Sequence, residues 1–281
     1  MNDITHEQDV VALYDLHPIN ERQILDKLAS DGIDLTGLTE DTLQHYDMDH
    51  YGGVEAIDVL ARNAGIDETT RVLDVASGMG GPARYLAHHY GCTVTGIDLT
   101  ESRVAGAKRL TDLVGLSDKV EFCQANALAN PFPDQTFDVV IGQEAWCHIP
   151  DKPRLIGECV RVTKIGGRLS FTDMLERRIA DADDRARLYR GLALADLETM
   201  SGYSDLLTDA GCRIHSVEDL SESWTNILRE RLAMYRSLQD QTVSQFGAER
   251  FRQWDDTYAL FVGLYETEEL GGGRFLAERL R

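Results

Sequence analysis

The stretch Arg71-Val-Leu-Asp-Val-Ala-Ser-Gly-Met-Gly-Gly-Pro-Ala-Arg84 constrains the fold of this chain more than any other. Val72 to Val75 is a short apolar run with one Asp, which predicts a buried strand. Three closely spaced glycines follow, and a helical pattern then runs from Pro82 to Tyr90. Glycines in such a turn let the backbone approach a ligand closely, and the next helix directs its N-terminal amides toward the same place. The stretch therefore predicts the first strand, turn and helix of a nucleotide-type fold.

The strands that follow alternate with helical patterns, which indicates a parallel sheet with helices on both faces. Two of these helices are predicted at Ser102–Val114 and Lys152–Val162. The further strands are predicted at Thr93–Leu99, Val120–Cys123, Phe137–Ile141 and Arg168–Asp173. We therefore expect an α/β fold with a doubly wound, mostly parallel sheet, and ligands at the carboxyl ends of its strands.

An acidic residue at the end of the second predicted strand makes the glycine turn more specific. Asp98 follows Asp74, the Asp of the first strand, by 24 residues. A carboxylate in this place can accept hydrogen bonds from both hydroxyls of an adenosine ribose. Because tight glycine turns also occur without ligands, the two features together carry more weight than either alone.

The charge of the chain excludes some classes of partner. The formal net charge is −20, and only five of the 28 basic residues are Lys. We expect neither nucleic acid nor an anionic membrane as a partner. Surface acidity with little lysine fits a protein that works at high salt, where self-repulsion is screened, and it fits an ordinary acidic enzyme equally well.

The cysteines and the chain start bear on compartment and on metal binding. The five cysteines are scattered and form no CxxC pair, so we expect buried free thiols and no metal site. The first ten residues are polar and acidic, and no apolar run is long enough to span a bilayer. These features predict a cytoplasmic protein without a signal peptide.

The first fifty residues combine two short helical patterns, Ile19–Leu28 and Leu38–Leu43, with an unusual polar segment. The segment His45 to Gly53 is rich in both aromatic and acidic residues. We interpret it as part of a lid that folds over the ligand. The alternative is a capping segment that packs on the sheet edge.

The C-terminal half begins with residues 176–204, a charged and helical stretch that we interpret as an insertion after the fifth strand. Further helices are predicted at Asp205–Ala210, Thr225–Phe246 and Ala248–Leu270, and further strands at Ile214–Leu220 and Arg274–Leu280. Three consecutive glycines, Gly271 to Gly273, are expected to end the last helix.

With these residues in place, the chain resembles the class I S-adenosylmethionine-dependent methyltransferases. The matching pieces are Val72–Gly81, Asp98, the stretch Asn126–Phe137, and Leu155–Gly167 leading to Asp173. The resemblance implies a Rossmann-like fold with S-adenosylmethionine as cofactor. It also implies a helical lid over 1–53 and a methyltransferase domain over 54–281, which divides into a cofactor-binding core (66–175), a helical cap (176–204) and a C-terminal part (205–281).

The resemblance also assigns cofactor-binding roles. It puts Gly78 and Gly80 against the methionine part of the cofactor and Asp98 at the ribose. Asn126 stands near the adenine amino group, where the family usually has Asp, and its carbonyl can still accept one hydrogen bond. Ala127 supplies a backbone contact there. The remaining positions implied to bind cofactor are Asp74, Ala76, Leu99, Arg103 and Gln143.

Within this superfamily the chain is most similar to the phosphoethanolamine and the sarcosine/dimethylglycine N-methyltransferases. The segments that carry this likeness are Tyr51–Ala56, Gln143–His148, Tyr203–Gly211 and Asp219–Trp224. The family's phosphate-binding residues do not carry over, because Met174 replaces an expected Tyr and only Tyr189 and Arg190 remain of an aromatic and basic cluster. This difference favours a smaller or less anionic amine over phosphoethanolamine.

The segment after the fourth strand supplies the candidate catalytic residues. An amine must lose a proton before its lone pair can accept a methyl group, so a base is useful. We expect Glu144 to hold the amine and His148 to act as the base, paired with Tyr46 or Tyr51 of the lid. Trp146 and Trp224 either line a cage for a methylated ammonium or belong to the core, and we favour the core.

Three functions remain open. The first is N-methylation of a small amine such as sarcosine or dimethylglycine, and the second is O- or C-methylation of a natural product or quinone. The third is a non-catalytic cofactor-binding subunit, which the complete set of Gly78, Gly80 and Asp98 disfavours. A homo-oligomer is compatible with the sequence, and the partner we expect is a small-molecule substrate.

Overall fold

The computed structural model describes residues 3–15, 19–48, 50–179 and 181–281, which form a seven-stranded sheet flanked by helices. The strands are β1 (Arg71–Val75), β2 (Thr93–Asp98), β3 (Val120–Gln124), β4 (Phe137–Gln143), β5 (Thr163–Glu176), β6 (Cys212–Asp219) and β7 (Leu270–Arg279). Their order is β3-β2-β1-β4-β5-β7-β6, and only β7 runs antiparallel to its neighbours. The predicted doubly wound, mostly parallel sheet is therefore confirmed.

The α-helices of the described residues lie before, between and after the strands. They are α1 (Asp3–Asp15), α2 (Glu21–Ser30), α3 (Glu40–Asp47), α4 (Gly53–Ala64), α5 (Gly81–Tyr90), α6 (Glu101–Leu113), α7 (Lys152–Val162), α8 (Ala182–Gly191), α9 (Met200–Asp209), α10 (Ser221–Ser237), α11 (Gln239–Phe246) and α12 (Ala248–Glu266). Within the described ranges, none of these helices is both long enough and apolar enough to cross a membrane.

Alternate residues of the strands enter two different hydrophobic cores. Val72 packs with side chains of α4, α5 and α6, whereas the next residue, Leu73, packs with side chains of α7 and α9. Both are fully buried. Because successive side chains of a strand point to opposite faces, β1 is covered on both sides, which explains its continuous apolar run.

The C-terminal part differs from the sequence prediction in two places. The predicted helix Thr225–Phe246 is two helices, α10 and α11, which separate at Leu238. Gly271 to Gly273 do not terminate the last helix but lie inside β7, where they pair with β5. A Cβ on Gly272 would lie only 2.2 Å from the ring of Trp224, so the glycine makes room for the buried indole. The prediction failed because an interior strand glycine looks like a helix terminator.

Other differences concern the ends of elements. Strand β5 begins at Thr163 and ends at Glu176, well beyond the predicted 168–173, because β7 pairs along most of its length. Helix α9 begins at Met200, inside the region assigned to the cap. Helix α1 was not predicted at all, since its mostly polar residues show no amphipathic period.

Candidate active site

The turn after β1 is built from residues with positive φ. Ala76, Gly78 and Gly80 have φ values of 65°, 53° and 79°. The two glycines serve different purposes. A Cβ on Gly80 would lie 2.4 Å from Phe122, so packing requires this glycine, whereas a Cβ on Gly78 would have no atom within 4 Å. Gly78 therefore borders open space at the carboxyl end of β1, where a ligand can approach the backbone.

The Asp98 carboxylate at the end of β2 stabilises this turn by hydrogen bonds. One oxygen accepts a hydrogen bond from the N–H of Gly78 and the other from the N–H of Thr100, each at 2.9 Å. Burial raises the pKa of Asp98, although both N–H groups favour its charged form. A carboxylate has about four acceptor sites, so Asp98 can hold the turn and still accept the hydroxyls of a ribose.

Several buried polar atoms near the turn have no hydrogen-bond partner among the residues that the structure describes. They are Oδ2 of Asp74, Oγ of Ser77, and both Oε1 and Nε2 of Gln143. Asp74 and Gln143 lie on the adjacent strands β1 and β4, and burial raises the pKa of Asp74 to about 7. Unsatisfied buried groups cost free energy, so such a group calls for a ligand or water. The ammonium and carboxylate of a methionine moiety would supply the missing donors and acceptors, so the implied cofactor fits here.

Two other residues implied to bind cofactor contact the N-terminal helix instead. The Asn126 amide donates to Glu7 of α1 at 2.7 Å, and its carbonyl accepts from the Leu128 N–H. The guanidinium of Arg103 donates to the backbone carbonyls of Tyr14, at 2.6 Å, and of Ile19. Helix α1 thus covers the carboxyl ends of β2 and β3, where adenine is expected.

Leu99 and Ala127 flank the same edge. The carbonyl of Leu99 accepts a hydrogen bond from the side chain of Gln124 at 3.0 Å, and Ala127 opens a short 3₁₀ turn directly after Asn126. Leu99 follows the end of β2 and Ala127 follows the end of β3, at the edge of the sheet where the sequence predicts the cofactor.

Glu144 follows β4 and has a positive φ of 54°. Its carboxylate accepts hydrogen bonds from the N–H of Tyr51 at 2.8 Å and from the hydroxyl of Thr172 at 3.2 Å. Nδ1 of His50 lies 3.5 Å from the same carboxylate. Backbone strain at a non-glycine residue is characteristic of functional sites. Here it occurs at a largely buried acidic group directly after β4, the strand that pairs with β1.

His148 forms a hydrogen-bonded pair with Tyr14 of α1. Its Nδ1 lies 3.0 Å from the carbonyl of Ala193, and a carbonyl only accepts, so Nδ1 carries the proton. In the neutral imidazole Nε2 is then an acceptor, and the Tyr14 hydroxyl lies 3.0 Å from it. The two rings meet edge to face at 5.5 Å. The pair can therefore move a proton from Tyr14 to His148.

The other predicted catalytic tyrosines are placed elsewhere. The Tyr46 hydroxyl donates to Asp31 at the end of α2, away from His148. The ring of Tyr51 packs edge to face on Trp224, 4.8 Å away, and only its backbone meets Glu144. The structure thus pairs His148 with Tyr14 rather than with either of these residues.

Both tryptophans belong to the core, as the sequence analysis favoured. Trp146 is fully buried, stacks on Phe171 at 4.3 Å and donates to the carbonyl of Val75. Trp224 is 3% exposed and packs against Tyr51 and Gly272. An aromatic cage built from these two rings is therefore not present.

Sequence reasoning missed three residues that contact the candidate site. Tyr14 and His6 lie on α1, and the Nε2–H of His6 donates to the carbonyl of His148 at 2.8 Å. His50 faces Glu144 and also favours the charged form of Asp74. Composition was the one signal that could have indicated these residues. Titratable and aromatic side chains recur in an N-terminal segment that is otherwise too polar to belong to the hydrophobic core.

A buried cluster of charged side chains contacts the glycine turn. Arg84 of α5 is fully buried, donates to Asp47 of α3, and has its Nε 3.3 Å from a carboxylate oxygen of Glu40. Arg84 also donates to the carbonyl of Met79 at 2.9 Å, inside the glycine turn. Two carboxylates thus share one guanidinium, and burial raises the pKa of Glu40 to about 8.

Removal of the Asp98 side chain is expected to abolish tight cofactor binding. Asp98→Ala removes the acceptor for two turn amides and the acceptor that is expected for the ribose hydroxyls, so affinity for S-adenosylmethionine should fall about 100-fold or more. Isothermal titration measures this change. Asp118→Ala, an exposed acid in the turn before β3, is the matched control and should bind normally. Retention of parental affinity by Asp98→Ala would contradict the assigned ribose contact.

Comparison with known proteins agrees with this geometry. Residues 73–171 match a family model described as a methyltransferase domain. Phosphoethanolamine N-methyltransferase 3 of Arabidopsis thaliana is 30% identical over 228 residues, which cover 81% of this chain and 46% of that protein. Sarcosine/dimethylglycine N-methyltransferase of Halorhodospira halochloris is 34% identical over 169 residues, or 59% of each chain. The chain spans about half the length of these curated relatives.

A solved structure shares the fold. It is phosphoethanolamine N-methyltransferase 2 of Haemonchus contortus in complex with phosphomonomethylethanolamine and S-adenosylhomocysteine, with a TM-score of 0.76 and 17% identity over 96% of this chain and 60% of that one. The strand order, the glycine turn and the domain match together define a class I methyltransferase fold. The chain therefore contains a methyltransferase domain, and its fold is that of methyltransferases that bind S-adenosylmethionine or S-adenosylhomocysteine.

Proposed function

We propose that this protein transfers a methyl group from S-adenosylmethionine to the nitrogen of a small amine, of the sarcosine or dimethylglycine class. The observation that carries the proposal is the pairing of Tyr14 with His148, four residues after Glu144 in the segment that follows β4. Similarity to N-methyltransferases of phosphoethanolamine and of sarcosine and dimethylglycine supports an amine acceptor.

The proposed roles follow from the hydrogen bonds. When bound, the cofactor supplies an electrophilic methyl group on a sulfonium, which needs little help beyond placement. The Glu144 carboxylate attracts the cationic amine and orients it by charge. The Tyr14 oxygen takes the proton from the amine as its own proton passes to Nε2 of His148, and the Ala193 carbonyl holds the imidazole in the required tautomer.

The acceptor is proposed to be small because the cap offers limited anion binding. Arg185 and Tyr189 of α8 are already engaged with Glu176, through contacts of 2.5 Å and 3.2 Å. Met174 is buried at the position after Asp173. A phosphate would have to displace the Glu176 contacts, whereas a small amino acid carries less negative charge.

A substrate panel tests the proposal directly. The purified chain is incubated with S-adenosylmethionine and sarcosine, dimethylglycine, phosphoethanolamine or a catechol, and S-adenosylhomocysteine is measured. We expect turnover with sarcosine or dimethylglycine. Turnover with the catechol alone would instead support the O-methyltransferase alternative, and absence of turnover with every acceptor would reject the proposal.

Neutralising Glu144 separates an amine acceptor from a hydroxyl acceptor. Glu144→Gln keeps the shape and one acceptor oxygen but loses the charge that attracts an ammonium. We expect kcat/KM for the amine to fall about 10- to 100-fold, since charged hydrogen bonds contribute about 1.5–3 kcal/mol. Steady-state kinetics and cofactor titration measure the two effects separately. Equal amine kinetics in Glu144→Gln and the parent chain would argue against an amine held by this carboxylate.

A further inference from the structure

Three side chains of metal-binding type converge on the surface where α3 meets α5, at the end of that contact remote from the glycine turn. Asp41 lies in the first turn of α3, and His88 and His89 lie in the last turn of α5. An oxygen of Asp41 is 3.0 Å from Nε2 of His88 and 3.9 Å from Nε2 of His89. One donor atom from each residue lies within 4.8 Å of the other two.

These separations suit a single metal ion. Zinc binds imidazole nitrogen and carboxylate oxygen at about 2.0–2.2 Å, which places two tetrahedral ligands about 3.4 Å apart. The histidine side chains are 35% and 36% exposed, and that of Asp41 is 64% exposed, so water can complete the coordination shell. Only side-chain adjustments are then needed to bring the three donors around one ion.

The surroundings also favour a cation bound through neutral imidazoles. The carboxyl end of α5 carries partial negative charge, and Asp41 adds a full one. Packing of His89 against Tyr85, with ring centres 4.2 Å apart, restricts the orientation of the imidazole. Zinc and copper bind imidazole in its neutral form, and two such imidazoles with one carboxylate are a common donor set for these metals.

We propose that Asp41, His88 and His89 form a binding site for one divalent transition metal of the zinc or copper class, which fastens α3 to α5. This site differs from the sequence expectation of no metal, because its ligands come from two separate segments. The same pair of helices holds Asp47 against Gly81, where a Cβ would lie 3.0 Å from the Asp47 carbonyl. A metal at the outer end would thus stabilise the support of the glycine turn without entering the reaction.

Zinc binding to the whole chain tests the proposal. Protein without an affinity tag is stripped with a chelator, and its zinc affinity is measured by competition with a chromophoric chelator. We expect one ion per chain with a micromolar Kd. At a zinc concentration one hundred times the Kd, the melting temperature should rise by about 5 °C. His88→Gln, His89→Gln and Asp41→Asn should each weaken binding about tenfold or more.

The control is His215→Gln. His215 also pairs with a carboxylate, that of Glu278 at 2.8 Å, but no second histidine shares this pair within the described part of the chain. Its replacement should leave zinc affinity unchanged. Because all three proposed ligands are exposed, the metal-free variants should melt at the parental temperature. Absence of saturable binding, or parental affinity in the three ligand variants, would overturn the proposal.

Discussion

His148→Ala is expected to lower kcat about 10²- to 10⁴-fold, the usual contribution of a positioned general base. The imidazole accepts the hydrogen bond of the Tyr14 hydroxyl, and alanine has no group that could accept it. Cofactor affinity should change little, because the cofactor contacts assigned to Gly78 and Asp98 lie on other elements. Single-turnover rates and cofactor titration measure the two quantities independently.

His148 also has a structural role, since its ring donates a hydrogen bond to the Ala193 carbonyl and its own carbonyl accepts one from His6. Tyr14→Phe therefore serves as a second variant that removes one hydroxyl and keeps the ring contact. It should lower kcat and alter the pH profile without a loss of thermal stability. His215→Ala is a control for the loss of an exposed imidazole. Parental kcat in both site variants, or a collapse of cofactor affinity in His148→Ala, would contradict the proposed base.

Arg84→Met is expected to destabilise the chain by about 3–5 kcal/mol, because it leaves the buried Asp47 carboxylate without its cation and Glu40 without the guanidinium beside it. The side chains of Asp47 and Glu40 are almost wholly inaccessible, and the Met79 carbonyl also loses a donor. Urea denaturation should show a lower midpoint. The triple replacement Arg84→Met, Asp47→Leu and Glu40→Leu should recover much of the loss, since apolar side chains need no partner.

Arg109→Met is the matched control for an ion pair at the surface. Arg109 is 57% exposed and pairs with Glu21 through a 2.6 Å contact, so its loss should cost about 1 kcal/mol or less. A similarly small cost for Arg84→Met would show that the buried cluster does not support the fold.

The sheet was predictable because its determinants are local. The apolar run Val72–Val75, the glycines after it and Asp98 each indicate their structure without knowledge of distant contacts. For the same reason the glycine turn and the place of Asp98 at the end of β2 were predictable, whereas its contact with a ribose stays a prediction. The interior glycines of β7 were misread, since the side chain that requires Gly272, Trp224, is far away in sequence.

The missed part of the site depends on long-range contacts. Tyr14 contacts His148 only because α1 packs across the sheet edge. The residues of α1 show no apolar periodicity from which this helix could be predicted. Tyr46 was chosen instead because it stands in a conspicuous aromatic segment, yet its hydroxyl binds Asp31. Sequence patterns indicate which residue types are available, but tertiary packing decides which of them meet.

The glycine at 272 has a consequence for the candidate site. Its missing side chain admits Trp224, whose ring supports Tyr51, and the backbone N–H of Tyr51 holds the Glu144 carboxylate. A glycine inside β7 therefore helps to set where the acidic group of the candidate site lies. A larger residue at position 272 would displace the Trp224 ring and, through Tyr51, would shift the Glu144 carboxylate.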